Sequence, residues 1–216
     1  MSNLQCNETV IRSITGFLLI IFLLVVLSLE KQLFIYAVTI ASVAFLIEWF
    51  FIWYKKLILG TRVDAILCAA GVMYITASMY IFANYSVSLL DRALLVLLLV
   101  SSDAGAYFVG RMFGKNKIAP KISPKKTWEG LAGGVFFTTL FGAIYLYFYM
   151  ELEVVWFLLP LVSVVAHIGD FLESAVKRYL GIKNTSNILP GHGGLLDRFD
   201  SAFLLIPFYY GLMTLF

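Results

Sequence analysis

Apolar residues run in long blocks separated by short polar breaks, at about residues 14–29, 33–54, 63–83, 89–109, 129–150, 154–180 and 199–216. A helix needs roughly 20 apolar residues to cross a bilayer core about 30 Å thick, and in lipid only a helix or a closed barrel satisfies its own backbone groups. The pattern therefore predicts an all-α, polytopic integral membrane bundle of about seven transmembrane helices with a cytoplasmic N-terminus. No repeat, heptad or low-complexity tail interrupts it. Residues 1–216 read as a single membrane domain, with 1–90 a helical scaffold and 91–216 the half that carries the chemistry-bearing motifs.

Composition sharpens this picture. Of 216 residues, 61% are hydrophobic and 13% charged, where soluble domains average about half and about a quarter. No room remains for a separate soluble catalytic domain, so any chemistry must use short loops and helix ends. A cleaved signal peptide is not expected, because Phe17–Leu29 lacks a small-residue cleavage motif and is followed by Glu30, Lys31 and another span. Two cysteines, Cys6 and Cys68, exclude a disulfide framework or a cysteine zinc cluster, and Cys68 inside an apolar run reads as a buried thiol.

Charge is distributed unevenly. With the N-terminus inside, the inner segments hold Arg12, then Lys55, Lys56 and Arg62, then Arg111, Lys115, Lys117, Lys121, Lys125 and Lys126, then Lys177, Arg178, Lys183 and Arg198. Only the basic residues Lys31 and Arg92 fall outside, beside Glu30, Asp91, Glu151 and Glu153. Positive charge prefers the cytoplasmic side, so cation-dependent chemistry is expected there. The segment 110–128 carries six of these cations and no acid. Charge alone would serve as a topology signal or a contact to anionic lipid. The order of residues adds more: Gly110-Arg111, Gly114-Lys115 and Ser123 to Gly130 mix glycines, hydroxyls and cations as a phosphate-enclosing loop does.

In block 154–180, His167, Asp170, Ser174 and Lys177 share one helix face, with Glu173 beside them. Ionisable groups inside a span are functional candidates by default. Helical rise puts Asp170 about 24 Å from Val154, and Asp197 about 28 Å from Phe216, so the two are predicted to meet near the inner boundary. Asp200 follows on the same face. Carboxylates facing one another there repel unless a cation lies between them. Magnesium suits such a set, since one or two carboxylates and substrate phosphates usually hold it, while no cysteine or paired histidine favours zinc. The structural alternative is a set of ion pairs from Lys177, Arg178 and Arg198 that pins helices together. Pro190 to Arg198 adds three glycines, which allow positive φ and close backbone approach to a ligand. His192 either donates to a phosphate or caps the following helix.

At these residues the chain resembles the CDP-diacylglycerol synthases, or phosphatidate cytidylyltransferases. Their motif S-x-x-K-R, then K-D, then P-G-H-G-G-x-x-D-R-x-D is similar to Ser174–Arg178, Lys183-Asn184 and Pro190–Asp200. Gly169-Asp170, Glu173, Asp103 to Tyr107, Gly110-Arg111 and Ser123 to Gly130 also fit, so the resemblance runs from Asp103 to the C-terminal end. Asn184 departs from the family's Asp, and the chain is shorter than many members. The resemblance implies that CTP and phosphatidic acid react to give CDP-diacylglycerol and pyrophosphate in phospholipid biosynthesis, with Mg²⁺ and room for a second cation. On that reading Asp170, Asp197 and Asp200 hold metal, and Asp170, Lys177, Arg178, Asp197 and Arg198 form the catalytic set. Arg111, Lys115, Ser123, Lys125, Lys126, Thr127, Ser174, Lys183, His192, Gly193 and Gly194 then bind substrates. A phosphomonoester is largely dianionic at neutral pH, so no strong base is required.

The implied partners are the two substrates and the bilayer of a bacterial-type inner membrane. The first three spans are a reduced scaffold or part of a homodimer contact, and nothing points to nucleic acid. Two other classes compete: an anion or lipid-phosphate transporter, which would place polar residues through the midplane, and an impaired scaffold homologue, prompted by Asn184. Glu129 starts the fifth helix or orients nearby lysines. Glu48 is expected to pair with an inner-side Lys or Arg, and Trp49, Trp53, Trp128 and Trp156 to anchor helices at interfaces.

Overall fold

Among the described residues seven α-helices form, six of them over the predicted apolar blocks and the last starting later than its block. The structure, a computed structural model, describes residues 2–86, 88–149, 153–190 and 192–214; Gly191, Glu151 and Phe216 therefore lie outside the described residues, as do the side chains of Cys6 and Arg12. The helices are α1 (Ser2–Ser28), α2 (Lys31–Leu59), α3 (Arg62–Tyr85), α4 (Leu89–Phe113), α5 (Trp128–Tyr149), α6 (Leu159–Tyr179) and α7 (Ala202–Met213). Between α4 and α5 lies a hairpin of β1 (Lys117–Ala119) and β2 (Ser123–Thr127), paired antiparallel. Short 3₁₀ segments, Glu153–Leu158 and Leu196–Arg198, precede α6 and α7. Five helices, α2 to α6, are long and apolar enough to cross a membrane, whereas Ser13–Ser28 of α1 and α7 are shorter apolar helices. The chain is a multi-pass membrane protein, and its outer surface carries large apolar side chains such as Phe51, Met73 and Phe148.

Local chemistry sets the boundaries. Thr61 and Asp64 form a reciprocal capping box at the start of α3, and Ser88 accepts the Asp91 amide at the start of α4. Pro160 stands in the first turn of α6, where a missing N–H costs nothing. The last helix departs from expectation, because Asp197 and Asp200 precede α7 rather than riding on it. Asp197 accepts the amides of Thr185 and Gly194, and a carboxylate used to close a loop on itself competes with helix formation.

α4 and α5 pack closely through small residues. A Cβ on Gly133 would collide with Val109, and one on Gly105 would come within 2.7 Å of the Gly133 carbonyl. Such close backbone approach drives helix association in lipid, where burial of apolar surface contributes little. Gly110 and Gly130 meet around the Thr127 hydroxyl, which accepts the Gly130 amide at 3.1 Å. These glycines, expected to enclose phosphate, are helix-packing positions.

Two further side chains fall elsewhere than expected. Trp49 and Trp53 are buried against neighbouring helices, with Trp49 Nε1 donating to the Cys68 carbonyl at 3.0 Å, whereas Trp128 and Trp156 are exposed. Cys68 is a buried free thiol. Arg92, at the opposite end of the bundle from the hairpin, is 2% exposed and donates to the carbonyls of Leu27 (3.0 Å) and Leu29 (2.7 Å). Its guanidinium also lies 3.6 Å from the Phe34 ring centroid.

Candidate functional site

α6 supplies the polar stripe, and its buried face is rich in polar side chains: Ser163, His167, Ser174 and Lys177. The upper part of the stripe is structural. His167 Nδ1 lies 2.8 Å from the Ser163 carbonyl and 3.3 Å from the Ser102 hydroxyl, which joins α6 to α4. Lower down, Asp170 accepts from the Ser174 hydroxyl at 3.2 Å and forms an ion pair with Lys126 of β2. Lys126 also sits over the Phe171 ring. The hairpin is thus fastened across the end of α6 by one of the charges assigned to substrate.

Lys177 joins α6 to the loop that follows it, donating to Asp197 Oδ1 at 2.8 Å and to Glu173 at 3.2 Å. The other Asp197 oxygen, Oδ2, accepts from the Thr185 amide (3.0 Å), the Thr185 hydroxyl (3.1 Å) and the Gly194 amide (2.9 Å). Burial acts to raise this carboxyl, but Lys177 and the two amides outweigh it and hold it below the ordinary carboxylate range. Gly193 adopts φ +87°, which only glycine enters freely. Gly194 is packed so tightly that a Cβ would strike Glu48 and Thr185.

Glu48 is the residue that sequence reasoning misplaced. Among the described residues it pairs with no Lys or Arg; instead Oε1 accepts from the Thr185 hydroxyl at 2.6 Å and Oε2 from the Leu196 amide at 2.9 Å, with Glu48 only 2% exposed. A carboxylate from the scaffold half therefore sets the shape of the glycine loop. The available signal was a lone acid inside a span. His192 turns towards α1, its Nδ1 lying 2.8 Å from the Thr15 hydroxyl, so its side chain caps no helix.

The remaining candidates divide by exposure. Arg178 donates to the carbonyls of Ile122 and Ile182, tying the hairpin turn to the end of α6. Arg198 donates to the His192 carbonyl. Thr127 is buried and Ser123 half-buried, while Arg111, Lys115, Lys125 and Lys183 are exposed at the same end of the bundle. Arg111 also meets the Tyr107 hydroxyl. Glu129 accepts from the backbone and side chain of Asn116, fixing the end of α4 against the start of α5.

Asp200 stands apart from the paired acids. Its Oδ1 accepts the neighbouring Ser201 amide, while loss of solvation and then the carboxylates of Asp170 and Glu173 push its carboxyl up to about 8. Among the described residues, no group of three or more His, Cys, Asp or Glu forms a ready-made metal cage. Asp197, both of whose oxygens are engaged by the chain's own donors, does not fit the metal role assigned to it. Asp170 is engaged at both oxygens too, by Ser174 and Lys126, so a cation held between it and Asp200 would have to displace the Lys126 ammonium.

Acids and cations thus gather at one end of a helical membrane protein, beside a tightly folded glycine loop. The cytidylyltransferase family model matches residues 52–216, and the chain belongs to that family. Phosphatidate cytidylyltransferase of Bacillus subtilis is 47% identical over 119 residues, covering 54% of this chain and 44% of that protein. The proteins of the same name from Staphylococcus aureus strain COL and Staphylococcus haemolyticus are 40% and 39% identical over 148 residues, 67% of this chain and 57% of theirs. The chain spans about half the length of the curated relatives it matches.

Proposed function

We propose that the protein transfers the cytidylyl group of CTP to phosphatidic acid, giving CDP-diacylglycerol and pyrophosphate, at a site facing the cytoplasm. The observation that carries this reading is the gathering of acids and cations, Asp170 paired with Lys126 and Lys177 with Asp197 of the glycine loop, at the end of the bundle where basic side chains concentrate. Family membership and the named relatives support it.

In this reading a phosphate oxygen of phosphatidic acid forms a new P–O bond at the α-phosphorus of CTP, and the bond to the β-phosphate oxygen breaks. The nucleophile is already anionic, so the chain need supply no base. Exposed Arg111, Lys115, Lys125 and Lys183 draw in the triphosphate, and Arg198 and Lys126 offset phosphate charge near the carboxylates. Lys177 and Asp197 keep the loop in place beneath them. Asp170 and Asp200 would hold Mg²⁺, which when bound supplies charge neutralisation to the CTP phosphates.

Purified protein in lipid-supplemented detergent, given phosphatidic acid, CTP and Mg²⁺, is expected to form CDP-diacylglycerol and equimolar pyrophosphate, and to stop on chelation. A folded sample that makes neither product overturns the assignment. Activity that persists after chelation removes the metal from it.

A further inference from the structure

A cavity of about 330 Å³ lies between α1, α2, α3, α4 and α7. Among the described residues its polar lining side chains are Asp103, Arg198 and Ser201, all towards the end where the site lies, and the rest is aliphatic and aromatic. Water is a poor occupant of such a space because it would find too few hydrogen-bond partners. A hydrocarbon chain fits it.

Its depth can be read from the helices. Along α4 the lining runs from Leu95 to Asp103, eight residues or about 12 Å. Along α1 it runs from Leu19 to Leu27, again about 12 Å. One leaflet of a bilayer core is about 15 Å, so the cavity matches the depth of a single acyl chain lying parallel to its neighbours in the membrane. Ile20 of α1 and Val100 of α4 both line the cavity and are more than half exposed, so its wall reaches the outer surface at those helices.

We propose that this cavity holds an acyl chain of the lipid substrate, which passes in between α1 and α4, with Arg198 at the mouth meeting its phosphate. The inference rests on the reading under Proposed function and adds to it where the lipid sits. Much of the wall comes from α1 and α2, ahead of residue 52 where the family match begins, so chain-length preference would be this protein's own property.

The test compares dioleoyl- with dioctanoyl-phosphatidic acid in wild type and in Val96→Phe and Ala41→Leu, each of which fills the cavity. The ratio of kcat/KM for the long lipid over the short one is expected to fall about tenfold or more, with KM for CTP unchanged. Equal losses on both lipids would overturn the proposal. Wild-type protein photolabelled with a phosphatidic acid bearing a diazirine in its acyl chain provides a readout independent of variant folding. Labels concentrated on Leu19–Leu27 and Leu95–Val100 support the assignment, and labels spread over the lipid-facing surfaces of all helices refute it. Failure of wild type to turn over either lipid sinks the enzymatic reading itself, whereas turnover with an unaltered chain-length ratio sinks only the cavity.

Discussion

Glu48 shows how much of the site depends on a residue that no spacing rule connects to it. Its partners, Thr185 and Leu196, are 137 and 148 residues away in sequence, so hydropathy marked it as unusual but could not name what it holds. Glu48→Leu leaves the Leu196 amide buried without a partner, a loss of about 1–3 kcal/mol, and is expected to lower both thermal stability in detergent and turnover. Glu48→Gln should keep most of both: its amide oxygen can accept from Leu196 while the Thr185 hydroxyl turns to Asp197, already 3.1 Å away. Equal damage from the two substitutions would contradict the clamp. Asp197 makes a pH prediction. Its carboxyl is held below the unfolded value, so the stabilisation it provides is complete above about pH 4 and fades as pH falls below that. Acid unfolding followed by tryptophan fluorescence should show a shallower loss in Asp197→Asn, which begins from lower stability at neutral pH.

Among the elements, the six helices from α1 to α6 were legible because burial in lipid leaves a long apolar block little choice of conformation. The seventh was half legible. Apolar residues marked its body, but its start depends on which groups satisfy the Gly194 and Thr185 amides, and that is settled by Asp197 from within the loop. Measuring depth by counting residues back along a continuous helix therefore failed at Asp197 and Asp200. The hairpin was read as a basic loop, since three-residue and five-residue strands carry almost no periodic signal. The α4–α5 seam makes its own prediction. Gly133→Ala forces Val109 aside and should lower the midpoint of thermal unfolding by an amount equivalent to about 1–3 kcal/mol. The same change at Gly211, where nothing lies within 4 Å, should not; equal effects at both positions would discount the seam.

For the molecule as a whole, charge asymmetry set the expected orientation and the C-terminal motif pointed to the family that the comparisons show, but neither indicated how the first two helices take part. They supply Glu48 to the loop and one wall of the cavity, so the division into scaffold and chemical halves does not hold for those contacts. The attachments of α1 are unequal. Beside its C-terminal end Arg92 binds the carbonyls of Leu27 and Leu29, and midway along it Thr15 reaches His192 and the Pro190 carbonyl. Amide exchange along α1 is expected to quicken from Leu27 towards Thr15, and uniform protection would argue against any difference. A helix held at these two levels frames the proposed entry between α1 and α4 as a slot with a sill beside Arg92 and a crossbar beside Thr15.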